Sequence, residues 1–146
     1  MIIRAAVMTA LLGVALAGPT HAQSGGDISG VWQTQAGDAN VRVSKCGTQL
    51  CGTIVSLRDK IDPRTGQPPI DDKNPDPKLA TRSMIGIHLF FGMKPAGANA
   101  WSGQIYNADD GRYYVSNVSL TGPDTLKVEG CVGALCGSEN WSRVGR

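Results

Sequence analysis

Val41-Arg42-Val43-Ser44-Lys45-Cys46, followed by Gly47-Thr48-Gln49-Leu50 and then Cys51-Gly52, decides the fold, because its pattern returns later in the chain. The second copy reads Leu126-Lys127-Val128-Glu129-Gly130-Cys131, Val132-Gly133-Ala134-Leu135 and Cys136-Gly137. In each copy an alternating apolar run reaches a cysteine, four residues intervene, and a Cys-Gly pair opens a second run. Alternation of period two is the signature of a half-buried strand, and a short Gly-containing link between two such runs is a hairpin. The chain therefore contains two β-hairpins, each with a cysteine on both arms.

Four cysteines allow three pairings, and local pairing of Cys46 with Cys51 and of Cys131 with Cys136 is favoured. Directly opposed residues of a non-hydrogen-bonded antiparallel pair already stand at disulfide distance. Closing six residues contributes only about 2 kcal/mol on the loop-entropy scale, so such bridges mainly pin register. The rival is a four-cysteine zinc site, for which the spacing is tolerable. An oxidising compartment argues for disulfides.

The N-terminus points to that compartment. Arg4 supplies a basic n-region, Ala5 to Ala17 form an apolar run, and Thr20-His21-Ala22 ends in a small residue suited to cleavage, so residues 1–22 read as a signal peptide and residues 23–146 as one mature domain. The apolar run is short for a bilayer span, and no later segment is long enough to act as a membrane helix. The formal net charge is only +2 over 146 residues, with no basic stripe that would suggest nucleic acid. Periplasmic or secreted localisation is expected.

Working outward from the two hairpins, the rest of the mature chain is also β-like. Nineteen glycines and short alternating runs give eight strand windows near 28–35, 40–46, 51–58, 84–91, 100–107, 112–120, 124–131 and 136–144. The later links, such as Asn107–Gly111 and Thr121–Asp124, are rich in the Gly, Asp and Asn of tight turns. The expected fold is all-β: a single antiparallel up-and-down barrel of about eight strands. Residues 59–82 break the pattern, being polar and holding five of the eight prolines. A connection this long reads as a strap across one end of the barrel, a lid or rim over an opening, or a disordered linker. Asn74 or Asp76 would cap one helical turn within it.

Gly30-Val31-Trp32 on the first strand and Trp141-Ser142-Arg143 on the last resemble the lipocalin and wider calycin arrangement. There an arginine from near the C-terminus covers the tryptophan that closes the barrel. An indole face under a guanidinium gains about 0.5–2 kcal/mol, which supports the pairing of Trp32 with Arg143. A longer ordered set includes Gly30-x-Trp32, Cys46-x4-Cys51-Gly52, Asp72-x-Asn74-Pro75-Asp76-Pro77, Trp101-x-Gly103-x-Ile105-Tyr106, Gly111-Arg112-Tyr113-Tyr114 and Trp141-x-Arg143. That series resembles the bacterial family catalogued as domain of unknown function 2147. The resemblance implies a small exported protein with a calycin-like barrel, and it carries no activity.

Catalytic chemistry is thinly provided for. His88 is the one histidine after the leader, no Gly-x-Ser-x-Gly elbow accompanies it, and no second histidine offers a metal pair. Read as a strand, 84–91 places His88 with Met84, Gly86 and Phe90 on one face. Acidic residues gather at Asp59, Asp62, Asp71, Asp72 and Asp76, and again at Asp109 and Asp110. These residue types usually cap turns. Tyr106, Tyr113 and Tyr114 flank a hairpin and suit a ligand rim at a barrel mouth.

The expected ligand-contacting residues are thus Asp72, Asn74, His88, Tyr106 and Tyr114, with no catalytic residue, metal or cofactor. The leading function is non-enzymatic binding of a small apolar or amphipathic ligand. The alternatives are an envelope protein-binding module, favoured by a solid barrel core with an exposed apolar patch near Phe90 and Phe91 or on the 59–82 strap, and an enzyme built on Asp72 and Asn74. The enzyme requires Asp72, Asn74 and a tyrosine or His88 to converge in one cleft.

Overall fold

Alternating side chains become alternating faces once strands pair, and here the pairing closes on itself. A computed structural model describes residue 18 and residues 26–146, so the leader read at 1–22 lies outside the described residues apart from Gly18. Eight strands follow in order: β1 (Gly30–Gln33), β2 (Ala39–Cys46), β3 (Gln49–Leu57), β4 (Phe90–Gly97), β5 (Ala100–Asn107), β6 (Arg112–Gly122), β7 (Thr125–Val132) and β8 (Leu135–Gly145). Each pairs antiparallel with its sequence neighbour, and β1 pairs with β8 to complete a closed barrel. Closure leaves no unpaired edge to template aggregation.

Strand alternation sends Trp32, Val41, Val43, Leu50, Ile54, Trp101, Val118, Leu126, Val128 and Trp141 into the interior, where all are buried. The up-and-down order also sorts the connections. The N-terminal segment and the β2–β3, β4–β5 and β6–β7 turns lie at one end of the barrel. The β1–β2, β3–β4, β5–β6 and β7–β8 links lie at the other.

Both cysteine pairs are disulfides, Cys46–Cys51 and Cys131–Cys136, and no zinc site is made of them. The two hairpins differ in register. Cys131 stands directly opposite Cys136, with Cα atoms 4.1 Å apart. Cys46 stands opposite Gln49 and Cys51 opposite Ser44, so that bridge runs diagonally across 5.8 Å and is not between opposed residues as expected. The physical reason is the position of the turn glycine. Gly47 follows its cysteine directly, whereas Gly133 comes one residue later, and both take positive φ at the first turn position. A two-residue hairpin forms where that residue is glycine, so the turn selects the register and the disulfide accommodates it.

The window at 84–91 is corrected. β4 begins only at Phe90 and runs to Gly97, because positive φ at Gly86 (97°) turns the chain before a strand can form. Residues 86–89 still bond to β3, through the Gly86 N–H to the Ile54 carbonyl and the Leu89 N–H to the Gly52 carbonyl. The continuation to Gly97 holds Gly92 and Pro95 and carries register shifts on both sides, which hides it from a reading by alternation. As a result Ile87, Leu89 and Phe90 are buried while His88 and Ile85 face solvent.

The polar connection is anchored on the outer wall of β5 and β6. Asp71, fully buried, accepts hydrogen bonds from the Tyr106 hydroxyl (2.6 Å), Asn74 Nδ2 (2.9 Å) and Arg82 Nε (2.9 Å). Every partner of the carboxylate is therefore a donor, as a buried charge requires. Within the connection Asp76 caps a single turn, taking the Lys78 N–H on its side chain and the Ala80 N–H on its carbonyl.

Candidate functional site

At the end where the described chain enters the barrel, the interior is sealed. Trp32 and Arg143 are directly opposed across β1 and β8, and the guanidinium lies 4.2 Å from the indole centroid. The indole N–H donates to the Ile28 carbonyl at 2.9 Å. Arg143 donates to the carbonyls of Ser29 (2.7 Å), Asp27 (2.7 Å) and Pro123 (3.1 Å) and pairs with Asp124 at 3.2 Å. Gly30 explains the Gly-x-Trp spacing: a Cβ there would stand 2.6 Å from Arg143 Nη1 and 2.7 Å from the Gly145 carbonyl. Only glycine lets the arginine reach across.

The opposite end holds a cavity of about 630 Å³ that opens to solvent. Val41, Ile54, Leu89, Val128 and Trp141 form its apolar depth. Trp141 is held from two sides, stacked on Phe90 with ring centroids 6.1 Å apart and donating its indole N–H to Glu139 at 2.9 Å. The rim is acidic. Asp38 from the β1–β2 turn, Asp59 after β3, Asp109 from the β5–β6 turn and Glu139 on β8 all line the cavity. Burial, and then the neighbouring charges of Asp38, Glu139 and Asp110, hold the Asp109 carboxyl above its ordinary range. Tyr114 faces inward and donates its hydroxyl to Asp110.

The residues expected to contact a ligand fall in different places. Tyr114 lines the cavity, and Tyr106 borders it while its hydroxyl points into the Asp71 anchor. Burial and the Asp71 charge push the Tyr106 phenol up to about 12. Asn74 lies behind Tyr106, donating to its oxygen at 3.1 Å and to Asp71. Asp72 is exposed and paired with Arg64 at 2.9 Å. His88 is exposed on the outer surface, 3.1 Å from the Thr53 hydroxyl.

Asp72 and His88 therefore do not converge with Asn74 in one cleft, which is the arrangement the enzymatic alternative needs. Nor is Phe90 exposed; only Phe91 reaches the surface, edge-on to Tyr113. Among the described residues, the single group of three potential metal ligands within reach of one another is Glu129, Cys131 and Cys136, and its two sulfurs are joined to each other.

Asp38, Glu139 and Trp141 were not singled out as cavity residues from the sequence. A signal for them was present, since in an up-and-down barrel the first, third, fifth and seventh connections share one end. Asp38 and Asp109 sit in the first and fifth, and Glu139 shares an inward face with Trp141 two residues on.

A family profile matches residues 30–143, from Gly30 through Arg143, the full span of the barrel up to the paired arginine. The chain belongs to DUF2147, a family of uncharacterised proteins conserved in bacteria. A solved structure from Helicobacter pylori, protein HP1028, described as belonging to the lipocalin family, is similar over 82% of this chain and 84% of that one. The identity is 22% and the TM-score 0.68. The likeness establishes a lipocalin-like barrel. No curated protein matches this DUF2147 sequence.

Proposed function

We propose that this DUF2147 protein is an exported binding protein that holds a small amphipathic molecule in the open end of its barrel, without chemistry. One observation carries the reading: an apolar-floored cavity of about 630 Å³ with a polar rim. That size falls in the range of roughly 300–1,000 Å³ typical of small-molecule sites. Export is supported by the leader-like N-terminus and by two disulfides, which persist in oxidising compartments such as the bacterial periplasm.

The test is saturable binding of a neutral fluorescent probe, N-phenylnaphthylamine, by the wild type and by Gly137→Phe. Gly137 lines the cavity, and a side chain there would start into open space. One-site binding that Gly137→Phe abolishes while keeping its melting temperature is the expected result. Absence of saturable binding by the folded wild type would sink the proposal.

A second reading, an envelope protein-binding module, draws on the β7–β8 hairpin tip, where Val132 is 65% and Leu135 81% exposed. Charging that tip with Leu135→Glu leaves probe binding intact under the first reading and removes a partner under the second.

A further inference from the structure

We infer that the occupant of the cavity is an amphipathic amine: an apolar tail in the barrel and a cationic head among Asp38, Asp109 and Glu139. The inference rests on the binding reading above and specifies its ligand class. Four carboxylates line the cavity, and none of the described residues lining it is Lys, Arg or His. Two basic side chains come near the rim without lining the cavity. Arg58 pairs with Asp59 at 3.1 Å and also feels the Asp38 charge, and Arg112 neighbours the Tyr114 hydroxyl. The acids outnumber them, and Asp38, Asp109 and Glu139 stand close enough in space for Asp38 and Glu139 to act on Asp109.

An acidic rim alone would be an ordinary solvated surface. Here it rings an apolar cavity: Val41, Ile54, Leu89, Val128 and Trp141 lie beneath Asp38, Asp109 and Glu139, so a ligand held there meets apolar side chains and carboxylates together.

A chelated metal ion is a poorer match to this rim. The carboxylate oxygens of Asp38, Asp109 and Glu139 do not come together as a group within 4.8 Å of one another, as a metal would need. A diffuse anionic ring suits a bulky organic cation, and the faces of Tyr114 and Trp141 add cation–π attraction. The same field would draw cations to the mouth and repel fatty-acid carboxylates.

The experiment displaces N-phenylnaphthylamine from the full mature protein with three ligands of one tail length: dodecylamine, dodecanol and dodecanoate. Dodecylamine is expected to bind about tenfold or more tightly than dodecanoate, with a gap that narrows as salt is added. The ratio of amine to alcohol affinity should fall severalfold in the double variant Asp109→Asn, Glu139→Gln. The amide oxygen introduced by Glu139→Gln can still accept the Trp141 indole N–H, and neither change removes a charge partner, so the variant is expected to fold. Equal binding of amine and carboxylate, or a ratio unchanged in the variant, overturns the amine assignment and leaves the cavity reading standing. Failure of all three ligands and the probe overturns both.

Discussion

The two ends of the barrel are built from the same parts and finished in opposite ways. Each has a hairpin locked by a disulfide, an inward tryptophan and charged residues at its rim. At the closed end Arg143, Trp32 and Gly30 satisfy one another, and the arginine side chain is only 6% exposed. At the open end the corresponding charge is missing. Trp141 lies under a carboxylate, and among the described residues four acids and no base line the cavity. One end has completed its interactions within the chain, and the other leaves an apolar cavity open beneath acids, where we propose that a ligand sits. That contrast, more than the barrel shape, underlies the proposed division between stability and binding.

The largest effect should come from breaking the closed end. Trp32→Ala removes a fully buried indole, and truncating a buried aromatic typically costs about 3–5 kcal/mol. Thermal denaturation followed by circular dichroism should show a large fall in melting temperature. Gly30→Ala should push the same way by driving a Cβ against Arg143. A negligible change for Trp32→Ala would mean that the Trp32–Arg143 pair does not seal the barrel.

A smaller effect, and a sharper one for the comparison, comes from the disulfides. Replacing either pair by serines should cost about 2 kcal/mol, since both close loops of the same length. The two losses should differ in function. The Cys46–Cys51 hairpin belongs to the closed end, whereas Cys136 is followed immediately by Gly137, Ser138 and Glu139, which line the cavity. Probe affinity should therefore fall only in the Cys131→Ser, Cys136→Ser variant. Equal losses of affinity in both variants would show that the ends are not independent.

How much of this was legible in the sequence depends on the range over which each feature is encoded. The hairpins, the strand count and the disulfide partners rest on alternation and on neighbours a few residues apart. The Trp32–Arg143 pair spans the whole chain, and it was legible only through the family resemblance. The 84–91 window failed because one positive-φ glycine outweighed an apolar run, and composition does not announce which glycine will bend. The candidate site was read least well. Asp72 and Asn74 drew attention as a dense local cluster, yet their neighbourhood serves to anchor the polar connection through Asp71 and Tyr106. The carboxylates of the cavity come from separate segments: Asp59 and Asp109 stand in acidic stretches of the sequence, whereas Asp38 and Glu139 carry no local signal. Only the closure of the sheet brings them to one mouth.

The smallest predicted effect concerns that mouth in the absence of ligand. Asp109 is raised first by partial burial and then by the charges of Asp38 and Glu139 across the opening and of Asp110 in its own turn. In the unfolded chain it titrates near the ordinary carboxylate value of about 3.9. Between that value and its raised folded value the native state binds more protons than the unfolded one. Stability contributed by this group is therefore present at low pH and lost as pH rises through the folded value, opposite in sign to a salt-bridged carboxylate. Asp109→Asn should flatten this part of the melting temperature–pH profile and leave the protein slightly more stable than wild type at neutral pH. A bound amine should do the same by compensating the charge, so its stabilisation should grow from acid to neutral pH in the wild type and grow less in Asp109→Asn. Identical profiles for the two proteins would show that the open end carries no charge strain for a ligand to relieve.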